Sequence, residues 1–265
     1  MKILLSAILL AAVFAAGAEA PKPTEKLAIV ETITGRDNAV HELALRTGIA
    51  NRELAVELTR ANLADALKAL DEGRADLVIA YVDQLPAGRR LRRVYAREAA
   101  LIAVNAENSR KSFSSAELAN IFAGTLGDWK SLNGSAFSFH RYGITEEVPG
   151  ETVFREKVLK ERQFANTYRR SDPAELMLLV GANPNSIAIL PAIAETPPAK
   201  VALAAVDGIE PTTENLRNGK YPLYKDRVVV FGPKVSAPAR SFIQQFQSAD
   251  FIDSLKDQHL LSLLY

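Results

Sequence analysis

SSAELANIFAGTLGDWKSL, residues 114–132, is the stretch from which the rest of the chain can be read. Ser114 followed by Glu117 has the spacing of a capping box, in which each side chain satisfies a backbone N–H at the other residue. Leu118, Ile121 and Phe122 then share one helical face and predict a short helix packed on a core. Gly124 is placed to end that helix, because a residue without Cβ takes the left-handed conformation at no steric cost. Gly127 and Asp128 predict a turn, and Trp129, the one tryptophan of the chain, predicts an aromatic plug.

Composition bounds the possibilities around this stretch. At 265 residues the chain suits one large domain or two small ones, and its 48% apolar residues can build a sizeable core. A formal net charge of +1 gives no reason to expect nucleic acid or an anionic membrane as the main partner, so any anion site must be local. The first 20 residues, MKILLSAILLAAVFAAGAEA, read as a signal peptide: Lys2, an apolar core too short for a comfortable span, and small residues that offer cleavage after Ala18 or Ala20. The chain has no cysteine. A lipoprotein anchor, a disulfide framework, thiol catalysis and cysteine metal sites are therefore not expected. A free, soluble, periplasmic or secreted protein is.

In order, residues 26–31 (KLAIVE) predict a strand, 32–38 (TITGRDN) a polar loop, and 39–50 a helix. Strand, loop and helix start make an anion cradle in principle, since the first helical N–H groups lack internal partners. The single Gly35 fits neither a Walker loop nor a dinucleotide fingerprint. Residues 52–59 suit a strand or a helix end. A helix over 63–73 and a buried strand over 75–82 give the βα pattern of a mostly parallel sheet. Four arginines in residues 89–93 form either an anion or partner patch or a solvated turn. Further strands are predicted over 99–105, 136–142, 186–190, 201–206 and 228–231, and helices over 151–162, 173–180, 237–251 and 252–261.

Several segments resemble, in order, the phosphate-binding proteins of ABC transporters. Leu118, Ile121, Phe122, Gly124, Trp129 and Leu132 match a pattern of the form L-x-x-I-F-x-G-x-x-x-x-W-x-x-L. ALDEGRADLVIA at residues 69–80 is similar to another family segment. The fullest match is DGIEPTTENLRNGKYPLY at residues 207–224, through Asp207, Gly208, Pro211, Thr212, Glu214, Asn215, Gly219, Tyr221 and Pro222. The resemblance implies an α/β, two-lobed periplasmic-binding-protein fold of type II, with lobes joined by two crossing strands and ligand in the cleft between them. It places lobe 1 at 21–104 plus 200–265 and lobe 2 at 105–199.

It also implies a site. Thr32, Thr34 and Gly35 fall on the family's first binding loop, Asp83 lies near its strand-end acid, Arg141 matches its strand-end arginine, and Gly150 and Thr152 fall at its second helix start. The family's Ser-Gly-Thr there is replaced by Pro149, Gly150, Glu151 and Thr152 behind a longer loop. Glu146, Glu147 and Glu151 crowd that place. A carboxylate within about 4 Å of a bound anion costs several kcal/mol at intermediate dielectric. Either these side chains face solvent or complement the helix dipole, or the ligand is not phosphate. The expected function is capture of phosphate or a related oxyanion for a membrane ABC transporter permease, by a monomer without nucleic acid, metal or other cofactor. The alternative is a binding-fold adaptor or sensor that has lost phosphate binding. An exported hydrolase is disfavoured, because His41, His140 and His259 have no nucleophile-and-base pattern around them. Tyr81, Trp129 and Tyr142 suit either core packing or a sugar or amino-acid cleft.

Overall fold

The computed structural model describes residues 23–33, 37–88, 90–132, 137–192 and 196–264. The signal-peptide expectation on residues 1–20 lies outside them. The elements run β1 (Glu25–Glu31), α1 (Asn38–Ala50), β2 (Leu54–Arg60), α2 (Leu63–Asp71), β3 (Leu77–Tyr81), β4 (Leu91–Asn105), β5 (Ser112–Phe113), α3 (Ser115–Phe122), β6 (His140–Ile144), α4 (Glu151–Phe154), β7 (Tyr168–Arg170), α5 (Pro173–Ala182), β8 (Ser186–Pro191), β9 (Val201–Val206), α6 (Thr213–Arg217), β10 (Tyr224–Phe231), α7 (Ala237–Gln245), α8 (Ala249–Asp257) and β11 (Leu261–Ser262). Among the described residues no helix is long and apolar enough to cross a membrane.

The chain divides into two compact units. One holds the described residues up to Ala96 together with Asp226–Leu255 and Leu264; the other holds Arg97–Lys225 and Lys256–Leu263. Of the four boundaries, two fall inside strands, β4 and β10, a third inside α8, and the last just after β11. The division differs from the expected lobes. Residues 97–104, 200–225 and 256–263 go with the second unit: the later half of β4 pairs with β8 and β9, β9 pairs with β5, and β11 pairs with β4. Strand β9 therefore does not return to the first unit, as its sequence position suggested.

In the first unit β1 lies parallel between β2 and β3, and β10 closes on β3 antiparallel. β3 is buried at every position, as its uninterrupted apolar run LVIAY requires of a strand covered on both faces. Helix α2 lays Ala66, Leu67, Ala69 and Leu70 against this sheet, where they cluster with Val30, Val78, Val228 and Val230.

In the second unit β6 lies parallel between β7 and β8, and β8 pairs antiparallel with β4. Helix α3 has the predicted capping box, with Ser114 accepting from the Glu117 N–H and Glu117 accepting from the Ser114 N–H. Its face of Leu118, Ile121 and Phe122 is fully buried, and Gly124 follows at φ +79°. Trp129 is buried between Phe139 and Phe113, with ring centroids 4.6 and 6.1 Å away, and its indole N–H donates to the Asn185 carbonyl at 2.9 Å. The plug reading therefore accounts for Trp129. Residues 151–162 do not form one regular helix: α4 passes after four residues into a π turn, Arg155–Leu159, which ends at Lys160 with φ +57°.

Candidate functional site

The residues expected to bind ligand are spread over both units: Thr32 and Asp83 follow strands of the first, and Arg141, Gly150 and Thr152 belong to the second. In the first unit, β1 delivers the chain to α1. Thr32 is half-buried, and both its N–H and its hydroxyl donate to the Ile79 carbonyl of β3, at 2.9 and 3.0 Å. Thr34 and Gly35 lie outside the described residues. Asp83 is exposed in the 3-10 turn that follows β3.

The start of α1 is occupied by acids of the chain itself. Asp37 is the N-cap, and its carboxylate accepts from the Val40 N–H at 3.1 Å. That carboxylate also accepts the Tyr95 hydroxyl and lies 3.0 Å from Arg227 Nη1. Asp37, Tyr95 and Arg227 are all buried. The Asp37 N–H donates in turn to Glu31 Oε1 at 2.9 Å, while Glu31 Oε2 accepts two bonds from Arg60 at 3.0 Å and lies 3.3 Å from His41 Nε2. Burial pushes the Glu31 carboxyl up, but His41, the Asp37 N–H and Arg60 outweigh it and hold the group below the usual carboxylate range. Tyr95 is driven well above the usual phenol range, first by burial and then by the Asp37 charge.

In the second unit Arg141 stands on β6. Its guanidinium donates from Nε to the Ile121 carbonyl at 2.6 Å and from Nη2 to the Leu126 carbonyl at 2.9 Å. These are acceptors at and just beyond the C-terminal end of α3, where a cation complements the helix dipole. Burial lowers the Arg141 pKa. Both of these bonds go to backbone carbonyls and not to the nearby glutamates.

Gly150 is the cap of α4, at φ +102°, a conformation that L side chains rarely adopt. A Cβ there would meet the Ala99 carbonyl oxygen at 2.5 Å, so the close approach of backbone to β4 also requires glycine. The Gly150 N–H donates to Oε1 of Glu98, a buried residue of β4, at 3.2 Å. Thr152 is half-buried in the first turn. The three crowding glutamates separate: Glu146 and Glu147 are exposed, whereas Glu151 is buried and holds Arg155 and Arg169 at 2.5 and 2.7 Å.

The structure thus brings Gly150 and Thr152 together at one helix start and sets Arg141 at the end of another helix. Sequence reasoning missed Asp37, Glu31 and Glu98. Asp37 carried a signal, because an Asp three residues before a helical N–H is an N-cap pattern. Glu98 carried none, since it stands inside a strand beside an apolar run. Among the described residues, no group of three or more His, Asp and Glu is arranged to hold a metal ion.

No family model matches the chain. In sequence it is 23% identical over 153 residues to the phosphate-binding protein PstS of Bacillus subtilis (strain 168). That match covers 58% of this chain and spans about half, 51%, of the relative. In structure it is similar to PstS from Borrelia burgdorferi, with a TM-score of 0.69 at 17% identity over 89% of this chain and 98% of that one. An ABC-type phosphate transport receptor from Vibrio cholerae gives 0.69 at 15% identity, over 90% and 99% of the two chains. A possible phosphate binding protein from Planctomyces limnophilus gives 0.72 at 12%, over 91% and 94%.

The chain has the type II periplasmic-binding-protein fold.

Within this periplasmic-binding-protein fold, the departures from the expected site are local. Gly150 and Thr152 stand at a helix start, but the Gly150 N–H is taken by Glu98. The Asp37 N–H, just ahead of α1, is likewise taken by a carboxylate of the chain.

Proposed function

We propose that this chain is an exported solute-binding protein of the phosphate-receptor type. It captures phosphate or a related oxyanion as a monomer and delivers it to the permease of an ABC transporter, without catalysing a reaction. The observation that carries this reading is the likeness in fold to phosphate transport receptors over about nine-tenths of the chain, joined to the sequence similarity to a phosphate-binding protein. Thr32, Thr34, Gly35, Asp83, Arg141, Gly150 and Thr152 are the residues assigned to the ligand on this reading.

One observation favours a second reading, an adaptor or sensor that no longer binds phosphate. A bound oxyanion needs N–H groups free to point at it. Here Glu31 takes the Asp37 N–H, Asp37 takes the Val40 N–H and Glu98 takes the Gly150 N–H. A dianion next to any of these carboxylates is repelled.

Isothermal titration of the chain from Pro21 onward, with phosphate and then sulfate at neutral pH, separates the two. Heat with phosphate and none with sulfate is the expected result for capture. No heat with either anion overturns capture and leaves the adaptor reading.

A further inference from the structure

The sequence RRLRR at residues 89–93 is the densest run of charge in the chain, in a protein whose net charge is only +1. It leads into the first residues of β4. Arg90 is fixed to Asp71 by two bonds, at 2.9 and 2.5 Å, and counts as neutralised. No described carboxylate forms an ion pair with Arg92 or Arg93. Between them and Arg90 stands Leu91, 48% exposed. Successive residues of a strand point to opposite faces, yet Leu91 and Arg92 are both exposed. Arg93 and Val94 are half-buried, so among the described residues it is Leu91 and Arg92 that stand clear at this strand end. From Tyr95 onward the same strand is buried throughout, so the open character is confined to its tip.

We propose that this tip, through Leu91, Arg92 and Arg93, docks on the anionic headgroups of a phospholipid bilayer. Three properties point to a lipid surface. Unneutralised guanidiniums are attracted to anionic headgroups, and the attraction falls off within a Debye length, so it acts only at contact. Arginine forms bidentate bonds to phosphate oxygens, which phospholipid headgroups present in a dense array. An exposed leucine flanked by cations suits the boundary between headgroups and acyl chains, where an apolar side chain is buried and its charged neighbours stay wet.

The test is flotation of the chain from Pro21 onward with vesicles of phosphatidylglycerol and phosphatidylcholine, and with phosphatidylcholine alone, at low and at high salt. Two charge-reversed variants accompany it: R92E/R93E, and K234E/R240E as a control with the same net charge at exposed positions elsewhere. The expected result is flotation with the anionic vesicles only, lost at high salt, reduced at least tenfold in R92E/R93E and retained in the control. Wild-type protein that stays in solution with anionic vesicles overturns the proposal. Equal loss in both variants overturns it as well, since net charge alone would then be responsible. So does retention on immobilised heparin without flotation, which would show a polyanion site that does not recognise lipid.

Discussion

The helix starts of α1 and α4 reach the same electrostatic end by opposite routes. Helix α1 is thirteen residues long and is capped by the side chain of its own preceding residue, Asp37. Helix α4 is four residues long, has no side-chain cap, and receives a carboxylate from Glu98, 52 residues away in sequence. The first cap is local and is reinforced from below by Glu31, Arg60 and Arg227. The second exists only because β4 passes close enough for Ala99 to crowd Gly150. In both cases a carboxylate meets the positive end of a helix, which is worth about 0.3–1 kcal/mol at exposed sites and up to roughly 2 when partly buried. The difference lies in what holds each carboxylate in place, and it can be tested position by position.

The largest effect is expected at Asp37. Replacing it by alanine removes the cap and leaves Arg227 buried without its carboxylate, and losing one partner of a buried ion pair costs about 3–5 kcal/mol. Urea unfolding followed by circular dichroism measures this. Asp37→Asn keeps a capping oxygen and should lose less. Equal losses in the two variants would mean that the charge matters and the cap does not.

Next comes Gly150→Ala, with an expected cost of roughly 2–4 kcal/mol from the left-handed backbone and the clash with Ala99 together. Gly73→Ala supplies the comparison. Gly73 also has positive φ, at +70°, but nothing lies within 4 Å of a Cβ there. It should lose only the backbone component, about 1–2 kcal/mol. If the two variants lose the same, the close approach at Gly150 contributes nothing.

The third expectation concerns pH. The Glu31 carboxyl is held below its ordinary value in the folded protein. The stability it contributes is therefore fully present above the unfolded-state pKa of about 4.3 and is lost as pH falls through the lower folded value. Thermal melts between pH 6 and 3 should show stability falling in that window. Glu31→Gln should flatten the fall and cost about 1–3 kcal/mol at neutral pH, the range for charge-assisted hydrogen bonds. A slope unchanged in the variant would assign the acid sensitivity to other carboxylates.

The smallest effect is expected for Glu98→Gln. An amide oxygen can still accept from the Gly150 N–H, so the loss should be about 1 kcal/mol or less. A larger loss would show that the charge of Glu98 is needed at this helix start. The second cap would then depend on electrostatics as strongly as the first.

The Ser114 capping box, the Gly124 stop and the buried face of α3 were legible because each depends on residues within a few positions of one another. Strands β1 and β3 with helices α1 and α2 were legible for the same reason: period and punctuation are local properties, whereas residues 52–59 suited strand or helix end until pairing with β1 made them β2. The ordered motifs carried the fold as well. The role of Trp129 followed from its bulk, although its partner, the Asn185 carbonyl, did not.

The candidate site was less legible. Arg141 read as a strand-end ligand residue, but the direction of its guanidinium depends on where Ile121 and Leu126 leave their carbonyls. Glu151 read as one of three acids in a loop, and only packing separates it, buried with Arg155 and Arg169, from the exposed Glu146 and Glu147. Strand β9 has the same apolar character whichever unit it joins, and its pairing with β4 and β5 made the choice.

The sequence by itself determined most of the helices and strands and their order, because helix and strand periods, caps and glycine stops are written in neighbouring residues; the two-lobed α/β plan was implied by the resemblance of its ordered motifs. Tertiary structure alone decided which carboxylate meets which N–H group and how the chain divides between the units. Those choices depend on contacts between residues far apart in the chain, and no local pattern records them.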